Sequence, residues 1–378
     1  KIAINKNFMK KFFITTAILG LSFFSCKKDS NKDDLKVVGK DANGNELVVT
    51  EQGDTIPKPT EDSLAVTSEE NSVESVALIK NEDDRYDFKY NLEKGKTYPI
   101  NLTVLTTRNV SDGTQSLKLS NESRKKIDYT VQDYQNGTYT LKVTFRQYSE
   151  KLTDPTGKVF SFDTSKNKPS DQMTAMSWQV YKSIIGKSYT MKMNDRGQVI
   201  SVDGLGTIRS GIESSMKSSL SAEEQKALSE MLKVSLSEEA IKMQFQETMN
   251  IYPDKKLKIK ESWSDENKVN EGPLKGTSKI TRTLESIDEA ATKISIKGTQ
   301  KVSGSEAQKM PTPDKKEQTV NLSMNDQSTI SGNIYLDTSS GWIKKVDITQ
   351  KKTVKETIES QGQKQTRTEN TTVQTLVN

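Results

Sequence analysis

The sequence predicts a mainly β chain of the α+β class: two similar curved antiparallel sheets with two or three amphipathic helices inserted between them. Three observations lead there. From Tyr86 onward, apolar and polar residues alternate over long stretches, the mark of strands with one face buried and one in water. A helical period interrupts the alternation between about Thr207 and Gln246. The stretches on either side of that interruption share the spacing of their apolar residues.

The first element in chain order is a leader. Met9-Lys10-Lys11 is a short basic start, and residues 1–8 read as upstream of it. Phe12 to Phe24 is an apolar run too short to cross a bilayer as a helix, and it ends at Ser25-Cys26 before Lys27-Lys28-Asp29. The layout of 1–25 is that of a bacterial lipoprotein signal peptide, with Cys26, the only cysteine, as the lipid acceptor. Phe23 stands where Leu is common in such signals, a looseness shared with Bacteroidota lipoproteins. The chain's net charge of +5 is largely this leader: its four lysines leave 52 basic against 51 acidic residues. Nothing global therefore argues for nucleic acid.

Residues 26–85 read as a lipidated cysteine and a polar stalk. Large apolar residues are few and the first aromatic after the leader is Tyr86, so burial cannot offset ordering entropy. Two Val-rich runs between Lys36 and Val49 flank Asn43-Gly44, a hairpin signal. The faint calcium-loop spacing of Asp41, Asn43 and Asn45 lacks its glycine, because Glu46 stands there. Asp54-Thr55-Ile56 and Asp62-Ser63-Leu64 match an Asp-Ser/Thr-apolar O-glycosylation pattern, with Thr55 and Ser63 as acceptors.

A first β half is expected over 86–206. Tyr98, Ile100, Leu102 and Val104 share one face, and Tyr139, Leu141, Val143 and Phe145 repeat the pattern after an Asn136-Gly137 turn. The helical insert, 207–247, carries the stripe Ile208, Ile212, Met216, Leu220. Ser221 and Glu224 form a capping box that turns Ala227, Leu228, Met231 and Leu232 inward, and Ser237 caps a helix with Ile241 and Phe245. A second β half follows over 248–378. Val131, Leu141 and Val143 match Leu284, Ile294 and Ile296 in spacing, and Met193, Val199 and Val202 match Leu336, Ile343 and Val346.

Tyr90-x-Leu92-x-Lys94-Gly95-x-x-Tyr98, followed by Pro253-x-Lys255-x-Leu257 and Trp263, resembles an uncharacterised family, a domain of unknown function, of Bacteroidota envelope lipoproteins. The resemblance spans about Tyr86 to Val377 and implies no activity. Relatives tend to have Gly shortly before that Trp, whereas Lys260-Glu261-Ser262 stands here. The order sheet, helices, sheet is also similar to the half-barrel carriers of lipoproteins, which implies a half-barrel-like groove closed by helices.

The chemistry is narrow. Without histidine there is no Ser-His-Asp or Cys-His machinery and no His-ligated metal, and one cysteine makes no internal disulfide. Ser-x-x-Lys occurs at Ser123/Lys126, Ser165/Lys168 and Ser214/Lys217 without a following Lys-Thr-Gly, the frequency expected of a Ser- and Lys-rich chain. No Gly-rich phosphate loop is present. No cofactor and no metal are expected. Met173, Met176, Trp178, Met191, Met193, Met216, Met231 and Phe245 admit two readings: ordinary core, or the lining of an apolar-ligand pocket between sheet and helices.

The function expected is a non-enzymatic lipid-anchored envelope protein with a binding or structural role, held at the outer membrane, cell surface preferred over periplasmic face. Its partners are the membrane, through the anchor, and a lipid or an envelope protein or glycan, with no nucleic acid. The alternatives are a carrier of a lipid or lipopeptide and a hydrolase of glycans using carboxylates alone.

Overall fold

The computed structural model describes residues 37–40, 46–49, 55–57 and 77–378, with 82, 250, 272, 312–316 and 361–362 excepted. The leader, Cys26 and Ser63 lie outside the described residues, and of Thr55 only the backbone is described.

The chain forms two compact units. The smaller holds β1 (Val37–Lys40), β2 (Glu46–Val49) and β3 (Thr55–Pro57), paired antiparallel in that order. Val37 opposes Val48 and Lys40 opposes Glu46, the hairpin that the two Val-rich runs predict.

The larger unit begins with the paired strands β4 (Leu78–Lys80) and β5 (Tyr86–Phe88). Then come β6 (Thr97–Ser111), β7 (Ser116–Gln135), β8 (Thr138–Thr153), β9 (Val159–Asp163), α1 (Gln172–Ile184), β10 (Ser188–Asn194) and β11 (Val199–Asp203). Three helices follow, α2 (Leu205–Met216), α3 (Ala222–Ser235) and α4 (Glu238–Met249). The chain closes with β12 (Ser262–Glu271), β13 (Leu274–Ile287), β14 (Thr292–Pro311), β15 (Glu317–Leu336), β16 (Ile343–Ser360) and β17 (Gln363–Val377).

Twelve strands make one antiparallel sheet in the order β11-β10-β8-β7-β6-β17-β16-β15-β14-β13-β12, with β9 beside β8. The sheet is curved and open, edged by β11 and β12. The mainly β class and the inserted helices are as expected. The two sheets expected are the two halves of one: β17 pairs with β6 from Val377 opposite Leu102 to Thr368 opposite Ser111. The reason is topological, since β17 runs on from the second half and covers the edge that β6 would otherwise leave unpaired.

The halves are built to the same register. Val131 opposes Leu141, and a bulge follows on β7 before Asp133; Leu284 opposes Ile294, and a bulge follows on β13 before Ser286. Met191 opposes Leu141, as Ile334 opposes Ile294. The entry turns agree bond for bond. Gly95 N–H donates to Val131 O and Val131 N–H to Lys96 O; Lys260 N–H donates to Leu284 O and Leu284 N–H to Glu261 O. Gly95 has φ +82° and Lys260 φ +73°. Lys260 thus takes the left-handed shape that glycine adopts freely, and the turn is kept without the glycine.

The core sits at one end of the strands. Leu141, Leu284, Ile294, Met191, Met193 and Leu232 are fully buried there. Trp342 packs at 5.2–5.9 Å, ring centre to ring centre, against Tyr90, Tyr98 and Tyr129, fastening the second half to the first. Helices α2–α4 cover this end with the predicted stripe: Ile208, Ile212, Met216, Leu228, Leu232, Ile241 and Phe245 are buried. Ala227, expected inward, is exposed, because Leu228 and Leu232 take the facing turn of α3. The Ser221–Glu224 capping box is present in both directions, and Ala240 N–H donates to Ser237 Oγ.

Candidate functional site

Beyond the core end, the long strands continue past helices α2–α4. Fifteen to twenty residues in β6, β14, β15 and β17 span roughly 50–65 Å at ~3.4 Å per residue. Alternation splits their side chains between an inner face, continuous with the core, and an outer one.

In the first half the inner face is covered. Tyr148 stacks on Tyr181 of α1 with centroids 3.5 Å apart, and Phe162 of β9 packs on both rings. Asp171 caps α1 by accepting from Met173 and Thr174 N–H. Under this lid lies a polar pocket of the sheet. Lys125 is 9% exposed, and burial pushes its ammonium down to about 7 against the pull of Glu150. Burial likewise raises the Glu150 carboxyl, although Asn121 and Lys125 lower it; Asn121 donates to it at 2.9 Å.

In the second half no described helix or strand stands over the inner face. It carries half-buried Ile280, Ile330, Met324 and Val354 between charged pairs. Lys352 meets Asp326 at 2.7 Å, Arg282 meets Asp265 at 2.5 Å, and Arg108 grips Glu369 through Nε and Nη2 at 2.5 and 2.6 Å. Burial raises the Glu369 carboxyl, but the bonds from Arg108 and Thr371 outweigh it and leave it below the usual carboxylate range. Ser278, Gln300 and Ser328 form one cross-strand row. Gln300 Oε1, Asp326 Oδ1 and Arg282 Nε are buried without a hydrogen-bond partner among the described residues, where such atoms are costly. A Cβ at Gly276 would overlap Lys301 O, and one at Gly332 would overlap Asp347 O; bare backbone at these positions lets neighbouring strands crowd and the sheet bend.

The residues predicted to line an apolar pocket divide. Met191, Met193, Met216 and Phe245 are buried in the core, with Met176 and Met231 packed on its margin. Met173 and Trp178 are half-buried on α1, and Trp178 Nε1 donates to Asp163 O and Lys166 O at 3.1 and 3.2 Å. These side chains fill the space between sheet and helices. One crevice at the core end, between Phe88, Tyr252, Leu336 and Gly341, is too narrow for water. An open depression of about 280 Å³ lies outside the core, lined by Glu213, Ser214, Lys217, Gln225, Leu228 and Ser229.

Of the Ser-x-x-Lys motifs, Ser214 and Lys217 both line the open depression, and the other two do not converge. Ser123 is buried on the inner face of β7 and Lys126 is exposed on the outer. Ser165 donates to Asp163, and Lys168 donates to Gln179. Asp84 and Asp87 are paired with Lys80 and Arg196. The described residues hold no group of three or more Cys, Asp or Glu side chains able to share a metal, and no helix among them is long and apolar enough to cross a membrane. Sequence reasoning missed the charged pairs of the inner face. Their partners lie 17 to 261 residues apart in the chain, and only the register brings them together.

Residues 136–343 match the model of a family of unknown function, DUF6263. No curated protein matches the sequence. Among solved structures, a lipovitellin structure concerned with lipid–protein interactions is similar over 76% of this chain, at 10% identity and a TM-score of 0.37. This chain spans 25% of the length of that one. OccK5 (OpdH) of Pseudomonas aeruginosa is similar over 75% of this chain and 99% of its own, at 8% identity and a TM-score of 0.20. Likenesses this slight do not bear on function.

Proposed function

We infer that this chain, which belongs to the DUF6263 family of unknown function, is a non-enzymatic binding protein that works through the inner face of its second β half, over which no described helix or strand stands. The observation that carries this reading is the asymmetry of cover. The same register builds both halves, but among the described residues only the first receives a lid of helix and strand. A face that sets aliphatic side chains among fixed charged pairs suits a partner with both apolar and polar groups. The lipoprotein leader supplies the location: Cys26 carries the lipid, the body stands on the outer membrane, and the cell surface is its preferred side. The partner class is an envelope protein or glycan.

The carrier alternative keeps some support from the half-buried Met324, Ile330 and Val354. It moves, however, from the filled space beneath the helices to the open face. The hydrolase alternative is disfavoured by electrostatics. Asp265, Asp326 and Glu369 are each engaged by a cation, and Arg108 holds the Glu369 carboxyl below the usual carboxylate range, which opposes the protonated acid that glycoside cleavage requires.

Two measurements test the reading. Cys26→Ser is expected to shift the protein from the membrane pellet to the soluble fraction; an unchanged pellet would remove the anchor. Native mass spectrometry of that variant, purified from its own envelope without detergent, is expected to give the bare chain mass. A stoichiometric lipid, lost on organic extraction, would replace the binding reading by the carrier.

A further inference from the structure

The outer face of the second half carries a second surface, with a different chemistry. Across β13 to β17 the register sets outward side chains in rows. Four consecutive rows, from the one holding Lys275 and Lys355 to the one holding Lys297, make twenty positions. Six are lysine and none is a carboxylate. The remainder are Thr, Ser, Asn and Gln, with no aromatic residue among them.

The lysines alternate row by row: Lys275 and Lys355, then Lys301, then Lys279 and Lys351, then Lys297. All six are exposed. Lys279 reaches Glu266 on the rim at 3.6 Å; among the described residues the other five have no ion pair. At ~4.8 Å between strands and ~3.4 Å per residue, neighbours such as Lys279 and Lys301 stand about 8 Å apart, and the patch measures about 20 Å by 20 Å. A chain so nearly balanced in charge has placed its carboxylates elsewhere, several of them on the inner face.

We propose that this lysine lattice is a docking surface for an anionic lipid bilayer. The charges are spread in two dimensions, as head groups are, rather than along a groove that tracks a single polymer. The face offers no ring on which sugars or bases could stack, the usual companion of basic residues in single-strand nucleic-acid sites. Flexible lysine stems between short hydroxyl and amide side chains let six ammonium groups reach one plane from a bent sheet. Docking would lay the body along the membrane and leave the opposite, inner face turned outward for the partner. The proposal concerns the body itself and does not require the lipid on Cys26.

The test therefore uses the chain from position 26 onward with Cys26→Ser, so that neither an acyl chain nor the apolar leader contributes. Its binding is measured by co-flotation with vesicles of phosphatidylcholine alone and of phosphatidylcholine with 30% phosphatidylglycerol. Expected is binding to the anionic vesicles only, abolished at 1 M salt, where the screening length is ~3 Å. The triple variant Lys279→Gln, Lys301→Gln, Lys351→Gln is expected to lose about fivefold in partitioning per lysine. The control Lys126→Gln, Lys142→Gln, Lys192→Gln removes the same charge from exposed outer positions of the first half and is expected to bind like the parent. Equal binding to neutral vesicles, equal losses in both triple variants, or binding to soluble polyphosphate without binding to vesicles would each overturn the bilayer assignment. Failure of this test leaves the anchor reading intact, since fractionation of the Cys26→Ser variant decides that separately.

Discussion

Leu141 and Ile294 occupy the same place in the two halves of the sheet, and each is fully buried beside its register partner, Val131 or Leu284. Beyond them the halves part. In the first, β8 is followed by β9 and α1, and Tyr148 is sealed beneath Tyr181. In the second, β15 is the next element after β14, and Gln300, at the register position of Tyr148, faces inward with its Oε1 unpartnered among the described residues. Register is thus set by backbone turns and aliphatic pairs at the core end. What the face does is set by the insertion that one half has and the other lacks.

The comparison can be broken at its core. Leu141→Ala and Ile294→Ala are each expected to cost about 2–5 kcal/mol, measured by urea unfolding of the full chain. A large cost at one and almost none at the other would refute the shared register. The lid is tested next. Tyr148→Ala is expected to cost about 3–5 kcal/mol through its lost ring contacts. Gln300→Ala is expected to be within about 1 kcal/mol of neutral, because it removes a buried acceptor that has no partner.

Much of this was legible in the sequence. Period-two runs gave the strands, and Ser221 with Glu224 gave the start of α3. The matched spacings of Val131–Leu141 and Leu284–Ile294 gave the kinship of the halves. Helix α1 was not foreseen as a helix. Its residues Met173, Met176 and Trp178 read as core or pocket lining, because the spacing on this helix serves two neighbours: Tyr181 faces β8 and β9, while Met176 and Val180 face the core. The merging of the halves was hidden because β17 and β6 are far apart in the chain and their strands are polar outside the core end. The charged inner face was hidden for the same reason: no local pattern announces Arg108 beside Glu369.

Two smaller effects sharpen the comparison. Lys125 lies under the lid with its pKa lowered to about 7 from 10.5 by burial. The unfolded state therefore holds the extra proton between about pH 7 and 10.5, and this group makes stability rise with pH across that window. Lys125→Met removes the slope. Its stability relative to the parent is expected to be highest near pH 6.5 and to fall toward pH 9.5; a difference independent of pH would contradict the assignment. At the entry turns, Lys260→Gly is expected to gain up to about 1 kcal/mol by relieving a left-handed residue, since the exposed Lys260–Glu285 pair contributes little. Gly95→Ala is expected to lose about as much at the matching position.

The central claim is that the inner face of the second half meets the partner. A photo-cross-linking amino acid placed at Ile330, which faces inward, is compared in intact cells with one at Thr329, its outward neighbour on β15. The account predicts a discrete adduct with one envelope protein or glycan from position 330 and none of that species from position 329. The same adduct from both positions, or from 329 alone, would contradict it.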